Sequence, residues 1–205
     1  MPAEPPVKRA IAFFDGQNLY HHARTTFGYT HPNYDVHKLS QAVCSQRGWQ
    51  LERIHFYTGI PSATENPFWH GYWSNKLASM GRTARVYGRP LVYRTKTVQI
   101  PGHGPFTYTT AEEKGIDVRL ALDALDAAHQ QEFDVALVFS QDQDLSELAS
   151  VVRNVSALQS RWIKIASAFP DAPTGKNRRG INRTDWIPID KATYDLCIDP
   201  RDYRP

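Results

Sequence analysis

Two short stretches are apolar at consecutive rather than alternate positions, and nothing else in the chain narrows its architecture as much. They are residues 9–15 (RAIAFFD) and 133–140 (FDVALVFS). A strand that is apolar on both faces has to be covered on both faces, as in a parallel sheet between two layers of helices. The intervening segments supply those helices. Asp35 stands where an N-cap would, ahead of Val36, Leu39, Val43 and Cys44 on one side of a helix that Gly48 closes. Pro67 opens another helix, running to residue 81. Residues 113–130 form the strongest one, with Ile116, Leu120, Leu122, Ala124, Leu125 and Ala128 mostly on one face. Helices are also expected at 18–27 and 142–158. Further strands are expected at 51–58, at 85–93 with Gly88 and Pro90 marking a bulge or break, at 162–169, and as a short edge strand at 186–189. Residues 99–109 (QIPGHGPFTYT) read as an irregular hairpin. Strands alternating with helices define an α/β fold with helices on both faces of an open parallel sheet. One domain over residues 9–205, behind a flexible tail at 1–8, is the expected organisation for 205 residues.

Cys44 and Cys197 lie far apart and match no metal-ligand spacing, which fits a reducing compartment. The Pro-rich start lacks the apolar core of a signal peptide, and the apolar runs are too short to span a bilayer, so a cytoplasmic protein without a membrane partner is expected. A net charge of +3 says little about partners by itself. Its distribution says more, because residues 66–111 contain no Asp or Glu but do contain Lys76, Arg82, Arg85, Arg89, Arg94 and Lys96. The same stretch holds Phe68, Trp69, Tyr72, Trp73, Tyr87, Tyr93, Phe106 and Tyr108. Basic residues interleaved with aromatics suit a single-stranded nucleic acid, the former holding phosphates and the latter stacking bases. Arg82, Arg85, Arg89 and, nearer the acids, Lys114 are the expected RNA contacts; the loop residues Lys176, Arg178, Arg179 and Arg183 are a second candidate set.

The acids have a pattern of their own. Asp15 directly follows the first apolar strand, in an Asp-Gly turn, and Asp142 and Asp144 follow the second. In open α/β sheets ligands bind at the carboxyl ends of the strands where the strand order reverses. If the two apolar strands are neighbours, these carboxylates converge, and Asp117 near the start of its helix completes the group. Carboxylates crowded together need a cation or retained protons. Oxygen donors without His or Cys select a hard ion, Mg²⁺ or Mn²⁺, which can activate water and hold the oxygens of a phosphodiester.

The segments Phe13-Phe14-Asp15-Gly16-Gln17-Asn18-Leu19, Glu113-Lys114-Gly115-Ile116-Asp117-Val118 and Phe139-Ser140-Gln141-Asp142-Gln143-Asp144-Leu145 resemble, in order, the three signature blocks of the NYN domain family, the PIN-like group that includes LabA-type proteins. The resemblance implies a parallel sheet of order 3-2-1-4-5 and a metal-dependent ribonuclease site. Asp15, Asp117, Asp142 and Asp144 match the family's acidic ligands, and Asn18 its supporting amide. The third block usually reads Ser-Gly-Asp-x-Asp, and Gln141 takes the place of that glycine, where a side chain is expected to narrow the approach to the metal or to alter a backbone angle. The expected function is hydrolysis of single-stranded RNA by a Mg²⁺- or Mn²⁺-dependent nuclease. The alternative is a non-catalytic module binding RNA or a regulatory protein on the same fold; a homodimer is a further possible assembly.

Overall fold

In the computed structural model, which describes residues 2–173 and 178–205, the two apolar runs lie side by side at the centre of one sheet. The chain begins with β1 (Lys8–Asp15), α1 (Gly16–Phe27), α2 (Val36–Arg47), β2 (Trp49–Ile60), α3 (Pro67–Met80) and β3 (Arg85–Pro90). A hairpin of β4 (Val92–Ile100) and β5 (Gly104–Glu112) follows, then α4 (Ile116–His129) and β6 (Val135–Phe139). A single 3₁₀ turn (Gln143–Leu145) leads into α5 (Ser146–Leu158), β7 (Lys164–Pro170), β8 (Asp185–Ile189) and α6 (Lys191–Leu196).

The six-stranded sheet has the order β3-β2-β1-β6-β7-β8 and is parallel throughout. Counting only its own strands, the order is the expected 3-2-1-4-5 with β8 added as a sixth, edge strand. Along β1, Ala10, Ala12 and Phe14 enter one core, with Leu19 and Ala23 of α1, Leu39 and Val43 of α2, and Trp73 of α3. Ile11 and Phe13 enter the other, with Leu120 and Ala124 of α4 and Val152 of α5. Both faces of the central strands are thus dry, which is why their sequences show no alternation.

Helix starts follow the capping signals. Asp35 Oδ1 accepts from the amides of His37 and Lys38, at 2.9 and 3.1 Å, and Gly48 closes α2 in the left-handed region. The expected third strand is cut short: β3 stops at Pro90, and the chain turns out of the sheet at Leu91 into the hairpin. That hairpin is longer than the expected 99–109, because Thr, Tyr and Phe on its strands favour extended backbone without any core to pattern them. The expected Asp15-Gly16 turn is instead a direct strand-to-helix junction, with Asp15 as N-cap of α1. No helix among the described residues is long and apolar enough to cross a membrane.

Candidate active site

The register places Phe14 beside Phe139, so Asp15 leaves the carboxyl end of β1 next to Ser140, where the strand order reverses. Asp15 is 6% exposed. Its Oδ1 accepts from the amide of Asn18 at 3.1 Å, and its Oδ2 accepts from Ser140 Oγ at 3.2 Å. Ser140 Oγ in turn accepts from the amide of Asp142 at 3.1 Å, while Asn18 Oδ1 accepts from the amide of Gln141 at 2.9 Å. Two polar side chains therefore stitch the ends of β1 and β6 together and fix the separation of Asp15 from Asp142. Asn18 has the supporting position expected of it. Ser140 was not among the expected site residues, although it stands in the third sequence block.

Asp117 comes from the first turn of α4. The helix begins at Ile116 because Gly115 adopts φ +69° and because Arg89 Nη1 donates to the Lys114 carbonyl at 3.0 Å. A Cβ on Gly115 would stand 2.5 Å from that guanidinium nitrogen. Glu113, also missed as a site residue despite lying in the second block, reaches back to β2, where its Oε2 accepts from the amide of Gly59 at 3.0 Å. A Cβ on Gly59 would come within 2.7 Å of this oxygen, so glycine is what admits the carboxylate there.

Asp15, Asn18, Glu113, Asp117 and Asp142 all line one cleft of about 610 Å³. Its acids are electrostatically strained. Burial pushes Asp15 up to about 6, with Asp142 and Asp117 adding to the effect. Burial likewise pushes Glu113 up to about 7, helped by Asp15 and Asp117 and opposed by the Gly59 amide. Crowded, desolvated oxygen donors fit a hard divalent cation. Among the described residues no three acidic, His or Cys side chains are grouped closely enough to cage an ion. A hydrated Mg²⁺ or Mn²⁺, held by one or two carboxylates and completed by water and phosphate, requires no such cage.

Asp144 is not brought into the cleft. The segment after Asp142 is a 3₁₀ turn capped by Asp142 Oδ1, which accepts from the Asp144 amide at 3.0 Å. With about three residues per turn, positions two apart point in different directions, and the Asp144 side chain is exposed. Gln141 does not obstruct the cleft either. Its Nε2 donates to the Arg179 carbonyl at 2.7 Å, and its backbone is not in the left-handed region. Gln143 acts alongside it, donating to the Gly180 carbonyl and accepting from the Asn182 amide. The two glutamines of the third block thus anchor the segment at 178–182.

The expected RNA contacts are dispersed. Arg82 precedes β3 in a groove with Asp35 and Ser79, and Arg85, at the amino end of β3, faces His55 and Asp123. Both are remote from the carboxyl ends of the strands because β3 runs parallel to β2. Arg89 is spent on the Lys114 carbonyl. Lys114 extends toward Glu112, 3.8 Å away, at the root of the hairpin. Arg178 pairs with Asp171 and Arg183 donates to Ser150, while Lys176 lies outside the described residues. The aromatics divide as well: Tyr72 and Trp73 are core, whereas Phe68, Phe106 and Tyr108 are exposed.

The model of the NYN domain family matches residues 9–172. The chain belongs to the NYN domain family. NYN domains form a PIN-like nuclease family, and the parallel sheet with its acidic strand ends is the corresponding fold. No curated protein matches the chain. Among solved structures it is similar to VPA0982 from Vibrio parahaemolyticus, a protein of unknown function, with 19% identity over 90% of this chain and 94% of that one and a TM-score of 0.53. At that identity the likeness concerns the fold alone. The family match ends before β8 and α6, so this NYN chain carries its edge strand and last helix beyond the matched region.

Proposed function

We propose that this NYN protein is a Mg²⁺- or Mn²⁺-dependent ribonuclease that hydrolyses phosphodiester bonds of single-stranded RNA. The observation that carries the reading is the convergence of Asp15, Asp117, Asp142 and Glu113 on one cleft at the reversal point of the sheet. Asp15 and Asp142 are the residues that would hold the ion, with Asp117 reaching it directly or through water. When bound, the cation would neutralise the phosphodiester and lower the pKa of attacking water. Glu113, pushed up to about 7, is suited to accept the proton that the water gives up as its oxygen joins phosphorus and the ester P–O bond breaks, the departing ribose oxygen keeping the bonding pair and taking a proton from solvent. Ser140 and Asn18 hold the acids in place.

A second reading has its own support. The exposed position of Asp144, which leaves the cleft without one of the four expected acidic ligands, favours a module that binds RNA without cutting it. Incubating purified protein with single-stranded RNA in chelator, Mg²⁺ or Mn²⁺ separates the two. We expect cleavage with a divalent ion, and at least about a hundredfold loss in Asp142→Asn, in the range of removing a principal electrostatic group. RNA binding without cleavage in any metal would replace the enzyme by the binding module.

A further inference from the structure

The acidic residues account for only one end of the cleft. Its wall continues along Tyr20, His21 and Arg24 of α1 and Trp69 of α3, beyond Gln17, whose Nε2 donates to the carbonyl of Gly59 beside Glu113 at 3.3 Å. Positions 17, 20, 21 and 24 follow the spacing of one helical face, so α1 runs along the cleft away from its own N-cap, Asp15. Arg24 lies roughly 13 Å along the helix axis from Asp15, at about 1.5 Å per residue. Its exposed guanidinium makes no ion pair or side-chain hydrogen bond with the described residues, and α1 contains no acid to neutralise it. Trp69 is half-buried. Its indole is fixed by near-perpendicular contacts with Phe68 and Tyr72, at centroid distances of 5.4 and 5.3 Å, and by Tyr20 at 6.1 Å. An aromatic held rigidly at the wall of a cleft, with an unpaired cation about two and a half turns along α1 from Asp15, is complementary to an unpaired base and its phosphate.

We propose that this end of the cleft is a nucleotide subsite in which Trp69 stacks the base next to the scissile phosphate and Arg24 holds the following phosphate. The proposal rests on the reading that a single-stranded polynucleotide enters the cleft, and it assigns the strand a direction of travel along α1. Tyr20 supports the indole and His21 borders the same face. Stacking tolerates any base, so the subsite would select unpaired strands over duplexes without selecting sequence.

The test measures binding apart from cleavage. A single-stranded RNA tetramer is titrated against the full chain carrying Asp142→Asn in chelator, and the affinity is compared with that for a tetramer of abasic nucleotides. Adding Trp69→Ala is expected to weaken the normal tetramer about tenfold or more and to leave the abasic one within about twofold, as base stacking requires. Trp69→Phe should recover most of the loss. Arg24→Gln, an exposed change that disturbs no packing, should lower the slope of log affinity against log salt by roughly 0.7. Equal weakening of both tetramers by Trp69→Ala, or an unchanged salt slope in Arg24→Gln, overturns the subsite. Cleavage by the protein with intact acids is scored separately. Base-dependent binding without cleavage keeps the subsite and removes the hydrolase, whereas cleavage with Trp69-independent binding does the reverse.

Discussion

Asp15 concentrates the conflict between folding and function in one side chain. It is buried at a strand end, accepts two hydrogen bonds and still has its carboxyl raised from 3.8 to about 6, because burial outweighs those bonds. The direction of the pH effect follows. Below pH 4 the acid is protonated whether the chain is folded or not; between about 4 and 6 the unfolded chain gives up the proton first, so stability falls as pH rises and stays lower above that range. The shift corresponds to on the order of 3 kcal/mol at neutral pH, to be offset by a bound cation. Asp15→Asn keeps an oxygen to cap Asn18 and removes the charge. In chelator, urea denaturation should find the variant about 2 kcal/mol more stable than the parent at pH 7.5 and little different at pH 4. Addition of Mn²⁺ at pH 7.5 should stabilise the parent alone. A difference that is the same at both pH values would mean that the charge on Asp15 is not what the fold resists.

The hairpin is the element that the sheet does not explain. Two-stranded hairpins are marginal in water by themselves, and this one is exposed on both faces along nearly its whole length. Lys96 stands directly opposite Tyr108 and Val98 opposite Phe106, so these residues share a face with Arg94. The Phe106 and Tyr108 rings lie 6.0 Å apart and nearly parallel, and Arg94 and Lys96 flank Glu112 at 3.4 and 3.2 Å. The mixture of basic and aromatic residues read from the sequence is therefore real on β4 and β5, and absent at Arg82 and Arg85. Arg94→Gln with Lys96→Gln should flatten the salt dependence of binding to a long single-stranded RNA, the logarithmic slope falling by roughly 0.7 for each phosphate no longer neutralised. Arg82→Gln with Arg85→Gln should leave both affinity and slope unchanged. The opposite assignment of effects would move the binding surface to the amino end of β3.

At the scale of the molecule, the chain beyond the family match closes one face of the fold. Tyr203 accepts from Asn75 Nδ2 through its carbonyl at 3.2 Å and donates its hydroxyl to Asp199 at 2.6 Å. Beneath it lies Lys76, with its side chain 1% exposed, donating to the Tyr34 carbonyl at 3.1 Å and standing 3.7 Å from Asp199. Burial lowers Lys76 from 10.5 to about 8, despite the nearby Asp199 and Asp35. Removing one partner of a buried pair strands the other charge, so Asp199→Asn should cost about 3 kcal/mol at pH 7. The sign with pH is opposite to that of Asp15. A lysine with a depressed value gains stability as pH rises through the window between about 8 and 10.5, because the unfolded chain holds the proton longer. By pH 9 the ammonium that needs Asp199 is largely discharged, and the penalty of the variant should shrink. Urea denaturation at pH 7 and 9 tests this, and an equal penalty at both would show that Lys76 is not the group left stranded.

The amino-acid sequence alone made the central strands legible, with the helix caps at Asp35 and Gly48 and the placement of Asp15 and Asp142 at strand ends, because runs of apolar residues and capping side chains act through neighbours a few positions away. It also carried the family blocks that place Asp117 and Asn18 at the site. Which acids share the cleft depends on packing between distant segments: Glu113 enters through a bond to Gly59, 54 positions earlier, while the 3₁₀ turn directs Asp144 outward. The same holds for the cations. Arg89 is taken up by a carbonyl 25 residues away and Lys76 by the end of the chain, and neither attachment leaves a periodic trace in the sequence. Local patterns record burial and backbone geometry; the direction of a long polar side chain is set by whichever distant element packs against it.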